Sequence, residues 1–189
     1  MTGTGMLASA SDETLIRKAL RGSERAWLKL VRKYERRLYN YCLRMTSKRE
    51  DALDLMQEIF LCVYRNLPNY HGDGVFPAWL FRIAGNKVVD FYRKRARDPV
   101  NQASEWQDDW QSQHAGRSDE QALGDNRLIT RLLECLPPEQ RLVVELKFFQ
   151  QFTFEEIAGQ MEISTNTAKS RLYAALGKLR EHEDLSHAM

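Results

Sequence analysis

Several features of common protein classes are scarce or missing in this chain. No apolar run approaches the roughly 20 residues that span a bilayer. The first residues also lack both the basic start and the apolar stretch of a signal peptide. No glycine-rich loop of the phosphate-binding kind is present. The sequence therefore predicts no membrane insertion, a cytoplasmic location and no nucleotide-dependent enzyme.

Cysteine and histidine are also few, and neither forms a cluster. The cysteines, Cys42, Cys62 and Cys135, are far apart and lack CxxC spacing, which argues against a disulfide framework or a zinc site. Because each lies among apolar helical positions, we expect buried thiols. The histidines fall in predicted loops, in the linker or in the tail, and are His71, His114, His182 and His187. We therefore predict no catalytic residue, no metal and no cofactor.

The remaining pattern is helical. The 189 residues contain 28 Lys and Arg against 26 Asp and Glu, so the overall charge indicates no particular partner. Alternating strand patterns are absent, and apolar residues recur at spacings of three and four, as on one face of a helix. The sequence predicts an all-α fold of two small helical domains. One apolar helix face with this spacing comprises Trp27, Leu30, Val31, Tyr34, Leu38, Tyr41, Cys42 and Met45.

Changes in composition divide the chain into segments. The linker between the two domains carries seven acidic residues against one base, Arg117, and few apolar residues other than Trp106 and Trp110. This composition indicates a flexible acidic tether. The predicted segments are a disordered lead-in over 1–11, a first domain over 12–97, the linker over 98–126, a second domain over 127–182 and a tail over 183–189.

Local signals in the first domain predict where helices begin and end. Ser47 and Glu50 have the spacing of a capping box and predict the start of a helix that Pro68 ends. Glycines predict a loop over 69–74. A further helix is expected over about 77–97.

A helix-turn-helix in the second domain is the most specific motif. It covers Thr153 to Arg180, with the sequence TFEEIAGQMEISTNTAKSRLYAALGKLR. Thr153 and Glu156 form a capping-box pair, a tight turn follows at 162–164, and Ser164 or Thr165 caps a longer helix. A short helix, a tight turn and a long second helix place the second helix in the major groove of DNA.

The second helix of this motif has the charge that DNA binding requires. From Ser164 to Arg180 it contains four basic residues and no acidic residue. The absence of acidic residues matters because DNA phosphates repel carboxylates. Its polar face is expected at base edges and nearby phosphates, with Arg171 at the flank on phosphate. The polar-face residues are Asn166, Lys169, Ser170 and Tyr173. The alternative is an amphipathic hairpin whose basic face is merely solvated.

An acidic face is predicted in the first domain. The segment DALDLMQEIF places Asp51, Asp54 and Glu58 on one side of a helix, where like charges slightly destabilise an isolated helix. A basic partner surface would offset that repulsion. The alternative is an ordinary solvated face.

The helix after the glycine loop is basic and aromatic together. Between Arg82 and Arg97 it carries six basic residues and one acidic residue. Aromatic residues are interleaved, a pattern suited to single-stranded nucleic acid because unstacked bases pack on rings. The alternative is that rings such as Trp79 and Phe91 belong to the core.

Four stretches of the chain together resemble the extracytoplasmic-function group of bacterial sigma factors. Residues 37–67 resemble the segment that binds the clamp coiled coil of the largest polymerase subunit. Residues 76–97 resemble the segment that melts and reads the minus-ten element. Residues 136–161 resemble the start of the second domain, and residues 164–180 resemble the helix that reads the minus-thirty-five element.

The resemblance implies three sets of functional residues. The polymerase-binding pattern is matched by Asp54, Leu55, Gln57, Glu58 and Phe60, and the acidic face adds Asp51. Asn86 lies where the family reads a flipped minus-ten base, with Trp79, Arg82, Lys87 and Arg93 nearby. The minus-thirty-five set is Asn166, Thr167, Lys169, Ser170, Arg171 and Tyr173. Two positions depart from the family pattern, because Leu53 replaces a usual acid and Ala174 replaces an arginine common in the family.

The resemblance implies a transcription initiation factor and not an enzyme. Its partners would be core RNA polymerase, promoter DNA as duplex and as melted single strand, and an anti-sigma factor. One competing hypothesis is a one-component regulator that binds duplex DNA through the second domain and a ligand or dimer partner through the first. Another is an enzyme with a helical core, for which the sequence offers no motif.

Overall fold

A computed structural model describes residues 11–72, 75–97 and 128–187. Within these ranges every regular element is a helix, as the apolar spacing predicts. The predicted linker, with Trp106 and Trp110, lies outside the described residues, and so does the lead-in up to residue 10. Ser11, the last residue of the predicted lead-in, is the N-cap of the first helix, because its Oγ accepts a hydrogen bond from the Thr14 N–H at 3.4 Å.

The N-terminal half is a helical bundle around apolar side chains. Its helices are α1 (Asp12–Leu20), α2 (Glu24–Thr46), α3 (Arg49–Asn66) and α4 (Phe76–Arg97), with a 3-10 turn at Leu67–Asn69. Pro68 lies in that turn, where its fixed backbone and missing N–H stop α3. Leu38, Ile59 and Leu80, from α2, α3 and α4, are fully buried together. The bundle therefore holds the acidic face of α3 and the basic helix α4 side by side.

The predicted capping box at Ser47 is wrong. Ser47 ends α2 in the left-handed region, with φ 64°, and its N–H donates to the Leu43 carbonyl. Helix α3 begins at Arg49 after Lys48, which makes no side-chain cap. The local spacing matched a cap, but the tight connection between the two packed helices needs a left-handed residue there.

The C-terminal half contains four helical segments. A helix over 128–134, here α5, precedes α6 (Pro138–Val144), which continues as a π-helical turn at Glu145–Phe149. Helices α7 (Phe154–Met161) and α8 (Thr165–His187) follow. The predicted tail beginning at residue 183 is therefore helical as far as His187, since no glycine or proline interrupts α8 after Gly177.

The two halves pack against each other, a contact that nothing in the sequence predicted. Helices α2 and α4 contact α6, and α4 also contacts α7. Phe81 of α4 lies 6.3 Å from Phe152, ring centre to ring centre. Buried residues of both halves, including Leu38 and Val143, belong to one continuous apolar cluster.

The cysteines follow their predicted burial only in part. Cys42 is buried, Cys62 is half-buried and Cys135 is exposed, all as free thiols. Burial raises the pKa of the Cys42 thiol well above its ordinary value. The expectation of a buried thiol is wrong for Cys135, which lies in the turn after α5, where its Sγ contacts the Leu132 carbonyl at 3.1 Å.

Candidate nucleic-acid interface

The helix-turn-helix forms as the caps predict. Thr153 Oγ1 accepts from the Glu156 N–H at 3.2 Å, and the Glu156 carboxylate accepts from the Thr153 N–H at 2.8 Å. Helix α7 ends at Glu162 in the left-handed region, with φ 54°. Ile163 is half-buried, and its N–H donates to the Ala158 carbonyl. These contacts set the angle at which α8 leaves the turn.

Helix α8 is capped by Ser164. Its Oγ accepts from the Thr167 N–H at 3.0 Å and lies 2.7 Å from the Thr167 hydroxyl. Ala168 and Ala175 are fully buried, so one face of α8 faces the core. Because the Thr167 hydroxyl is engaged in the cap, this predicted DNA contact is also part of the helix start.

The opposite face of α8 is open to solvent. Asn166, Lys169, Ser170 and Tyr173 are all exposed, Tyr173 to 67%. The Ser170 hydroxyl donates to the Asn166 carbonyl at 2.8 Å, which leaves its oxygen able to accept. Lys169 Nζ lies 5.7 Å from the centre of the Phe154 ring. Polar donors of three chemical types therefore point away from the core along one helix face.

Arg171 is engaged within the protein. Its Nη2 lies 2.5 Å from Oε2 of Glu139 at the start of α6, and the arginine side chain is 26% exposed. A phosphate at Arg171 would share or replace this carboxylate. Sequence reasoning missed Glu139, because it lies in α6 and outside the helix-turn-helix motif.

The acidic face of α3 is only partly free. Asp54, Gln57 and Glu58 are exposed, whereas Asp51 lies 3.4 Å from Arg95 of α4. Leu55, a residue of the predicted polymerase-binding set, is 4% exposed. It lies one position from Asp54, on the side of α3 that faces the core, and can support the acidic face only from beneath.

Phe60, another residue of the predicted polymerase-binding set, is partly covered. It is half-buried, and its ring meets Trp27 edge to face with centres 6.4 Å apart. Beyond Glu58, the exposed side of α3 continues through Leu61 and Tyr64, which are 55% and 56% exposed. The face is thus acidic at its first turns and apolar further along.

Helix α4 presents the predicted minus-ten residues on one side. Arg82 and Asn86 are exposed, and Lys87 is half-buried. Trp79 is half-buried and stacks against Tyr70, with ring centres 5.2 Å apart. Tyr70 was missed by sequence reasoning because it lies in the loop, outside the helical pattern.

The remaining residues of α4 lie further along. Arg93 is exposed and lies 3.7 Å from Asp90 one turn earlier. Phe91 is half-buried, with its ring against Tyr92. Trp79 and Phe91 are each half-buried, so both rings pack partly against the core and remain partly open to solvent.

A cleft separates α4 from the helix-turn-helix. It has a volume of about 580 Å³ and is lined by Trp79, Asn86 and Lys87 on one side and by Gly159 and Glu162 on the other. The structure therefore brings the predicted minus-ten residues opposite the second domain. Asn166 and Tyr173 are not among the residues that line this cleft.

Family models and curated relatives identify both halves. Residues 30–98 match the model for sigma-70 region 2, and residues 126–179 match the model for sigma-70 region 4. RNA polymerase sigma-H factor of Pseudomonas aeruginosa is 30% identical over 178 residues, which cover 90% of this chain and 92% of that protein. The ECF RNA polymerase sigma factor SigE of Mycolicibacterium smegmatis is 30% identical over 184 residues, 96% of this chain and 67% of the relative.

This chain is an extracytoplasmic-function sigma factor. The ECF sigma-E factor of Escherichia coli K12 is a further relative, 25% identical over 178 residues that cover 90% of the chain and 93% of that protein. The resemblance drawn from the four stretches is confirmed. Members of this family initiate transcription and are not enzymes, so the helical-enzyme and one-component-regulator hypotheses are set aside.

Solved structures share the fold of this sigma factor. CnrH in complex with the cytosolic domain of CnrY has a TM-score of 0.67 and 24% identity, covering 92% of this chain and 97% of that one. The sigma factor RpoE in complex with the anti-sigma factor NepR, from Bartonella quintana, has a TM-score of 0.63 and 23% identity, covering 81% and 93%. Among the described helices of this sigma factor, none has the length and apolar character to cross a membrane.

Proposed function

We propose that the sigma factor uses three separate helix faces for its partners. The acidic face of α3 binds core polymerase, the basic side of α4 binds the minus-ten element, and the polar face of α8 binds the minus-thirty-five element. The working units are residues 12–97 and 127–182, joined by the acidic segment 98–126. The chain acts in the cytoplasm, where polymerase and promoter DNA are found.

The exposed polar face of α8 is the observation that carries this assignment. Asn166, Lys169, Ser170 and Tyr173 stand on the side opposite the buried alanines, within a capped helix-turn-helix. An arginine or lysine, an amide and hydroxyls are the groups that contact base edges and phosphates in the major groove. A solvated hairpin would need no such continuous set, and acids would be tolerated on it.

The face proposed for polymerase differs in charge from the two DNA-binding faces. Asp54 and Glu58 are exposed carboxylates on α3, and carboxylates would be repelled by DNA. A protein surface rich in lysine and arginine side chains attracts these carboxylates instead. The apolar continuation at Leu61 and Tyr64 adds the contact area that a protein partner uses more readily than DNA does.

The face proposed for the minus-ten element combines aromatic rings, an amide and basic side chains. Trp79 with its neighbour Tyr70 offers ring faces for unstacked bases. Asn86 offers an amide that can hydrogen-bond a base edge, and Arg82 and Lys87 supply charge for the backbone. These groups suit a melted strand better than a closed duplex, because rings stack only on exposed bases.

The tether converts two weak contacts into one strong one. Once polymerase and one promoter element are bound, the second domain is held near its own element at a raised effective concentration. The anionic linker suits passage along a basic polymerase channel, because opposite charges attract over such short distances. An anti-sigma factor is a further proposed partner, the class of partner with which RpoE of Bartonella quintana was solved.

Reconstituted transcription tests this function. Core polymerase is mixed with the full-length chain and genomic DNA fragments, and the transcripts are sequenced. We expect discrete start sites that share two sequence elements upstream and that vanish when the chain is omitted. Transcripts with random starts, or failure of the chain to co-purify with core polymerase, would contradict the proposal.

A further inference from the structure

The outer side of α2 carries a row of basic residues that the proposed function does not use. They follow one another at spacings of four, three and four along the helix, and they are Arg25, Lys29, Arg32 and Arg36. At about 100° per residue, these positions fall within roughly 60° of arc around the helix axis. All four residues are exposed. We call them the α2 basic face.

The packing of α2 fixes the direction of this face. Leu30, Tyr34 and Leu38 are buried in the core, and their positions in the helical repeat lie opposite the α2 basic face. The acidic residues of α2, Glu24 and Glu35, lie at least about 60° outside the arc. The basic side chains therefore point away from the bundle and are not interspersed with carboxylates of their own helix.

Most of this charge is not neutralised within the protein. Arg25, Lys29 and Arg32 form no ion pair with any residue that the structure describes. Lys33, which lies outside the arc, differs in this respect, because its Nζ is 2.6 Å from Asp12. Like charges three and four residues apart slightly destabilise a helix. An anionic partner would relieve this repulsion.

Helix α1 adds further positive charge next to the α2 basic face. Arg17, Lys18 and Arg21 are exposed. Arg21 is the C-cap of α1, and the short turn through Gly22, with φ 86°, leads directly into α2. Arg21 therefore lies close to Arg25 in the first turn of α2, and the two helices together form a positive surface.

The side chains of the α2 basic face suit phosphates of duplex DNA better than other anions. Three of the four are arginines, whose planar guanidinium groups bind two phosphate oxygens at once. Between Arg25 and Arg36 no aromatic or apolar residue falls within the arc. The face therefore offers no ring for an unstacked base and no apolar centre for a protein partner. Charge without such groups is typical of contacts to the DNA backbone.

DNA bound at α4 would remain within reach of α2. A domain of the length of residues 12–97 measures roughly 30 Å across, from the scaling of the radius of gyration. About nine base pairs of duplex cover that distance, at about 3.4 Å per pair. Duplex that continues from a melted minus-ten element can therefore pass the positive surface without leaving the domain.

We propose that the α2 basic face binds the phosphate backbone of duplex DNA that flanks the minus-ten element. This proposal rests on the proposed function, because α4 is what brings DNA to the first domain. The contact is made to phosphates, so it adds affinity on any sequence and leaves the choice of promoter to α4 and α8. It also makes binding more sensitive to salt, because each neutralised phosphate releases counterions.

Salt titrations of DNA binding test the proposal. The full-length chain is titrated onto a fluorescent duplex of about 30 base pairs and arbitrary sequence, at salt concentrations from about 50 to 200 mM. The variant combines Lys29→Ala with Arg32→Ala. We expect it to bind about tenfold more weakly than the wild-type chain at the lowest salt, and the slope of log affinity against log salt to flatten by about two.

Two controls separate this contact from overall charge and from folding. Arg65→Glu changes the net charge by the same amount as the double variant. Arg65 is exposed and lies eleven residues after Asp54, on the acidic side of α3, so we expect its salt slope to match that of the wild-type chain. Lys29→Arg with Arg32→Lys keeps both charges and should restore affinity and slope. Circular dichroism checks that every variant is folded.

Several results would overturn the proposal. An unchanged salt slope in the double variant, or equal flattening in Arg65→Glu, would show that the α2 basic face makes no backbone contact. Tighter duplex binding by the double variant would assign the face to the acidic segment 98–126 of the chain itself. Loss of binding to phosphatidylglycerol vesicles with duplex binding unchanged would assign it to a membrane surface.

The transcription assay distinguishes failure of this proposal from failure of the proposed function. Promoter-specific transcripts together with an unchanged salt slope would overturn the α2 contact alone. Absence of such transcripts with core polymerase would overturn the proposed function, whereas a flattened slope in the double variant would still establish a duplex contact at α2. With both in place, we expect transcription by the double variant to fall more steeply as salt rises, because the complex has lost an anchor.

Discussion

Glu58 of α3 lies 3.8 Å from Lys87 of α4, carboxylate oxygen to Nζ. The first is a proposed polymerase contact and the second a proposed minus-ten contact, so the two surfaces meet at one ion pair. The side chains are 51% and 31% exposed. Asp51 and Arg95 form a second bridge between the same two helices. A lysine or arginine of polymerase that attracts the Glu58 carboxylate would release the Lys87 side chain toward DNA.

Replacing Glu58 by Gln tests which role this pair has. An exposed pair of this length contributes at most about 1 kcal/mol, so the free energy of unfolding should hardly change. Core polymerase binding should weaken, because a charged contact is removed. Chemical unfolding and a polymerase pull-down measure the two quantities. A fall in stability of several kcal/mol with unchanged polymerase binding would make the pair purely structural.

Asp54→Arg should weaken polymerase binding without unfolding the protein. Asp54 is exposed on α3, so reversing its charge disturbs the partner surface and not the core. Competition with a labelled sigma factor for core polymerase measures the affinity. The matched control is Glu35→Arg, a charge reversal at an exposed position of α2 outside the three proposed faces. Full-strength binding by Asp54→Arg would remove the acidic face from the assignment.

Lys169→Ala should weaken binding to the minus-thirty-five element. The loss is about 1–3 kcal/mol if Lys169 contacts a base, or the salt dependence of binding flattens by about one if it contacts a phosphate. Titration of promoter duplex at several salt concentrations separates the two. Lys178→Ala is the control, because nine residues along a helix place Lys178 on the opposite side. No change in affinity or in salt slope would exclude Lys169.

The capping box of the helix-turn-helix should contribute measurably to stability. Thr153→Ala removes the side-chain oxygen that accepts from the Glu156 N–H and should lower stability by about 1 kcal/mol. Thr153→Ser keeps the oxygen and should restore most of the loss. Thermal unfolding followed by circular dichroism measures both variants. Equal stability of the two variants would show that the loss comes from the methyl group and not from the cap.

Alkaline pH should destabilise the fold through buried tyrosines. Burial raises the pKa of Tyr34, Tyr41 and Tyr92, and for Tyr34 the hydrogen bond to Asp12 adds to the rise. Because the folded pKa values exceed the ordinary value of about 10, their stabilising contribution is complete below that pH. It is lost as the pH rises toward the folded pKa values. Urea unfolding from pH 8 upward should show this fall, and Tyr92→Phe should reduce it. A flat profile would contradict the burial of these hydroxyls.

Local signals in the sequence predicted much of the fold. The helical period placed α2, α3, α4 and α8, because amphipathic spacing acts over a few residues and survives without tertiary context. The cap at Thr153 was correct because its partner lies three residues away. The cap at Ser47 was wrong because the packing of α2 on α3 sets the connection between them. The burial of Leu55 was not predicted, because a family pattern gives residue identity and not the direction of a side chain.

The sequence by itself determined the helices, the order of the acidic, basic and polar faces, and the helix-turn-helix, since each depends on neighbours within about one or two turns. Only the tertiary structure decided that α7 lies over α4 and that Arg44 meets Glu145. That pairing depends on removing two charges from water and aligning them across 101 residues of chain. No local pattern encodes such a contact, because its free energy exists only when the two surfaces are packed together.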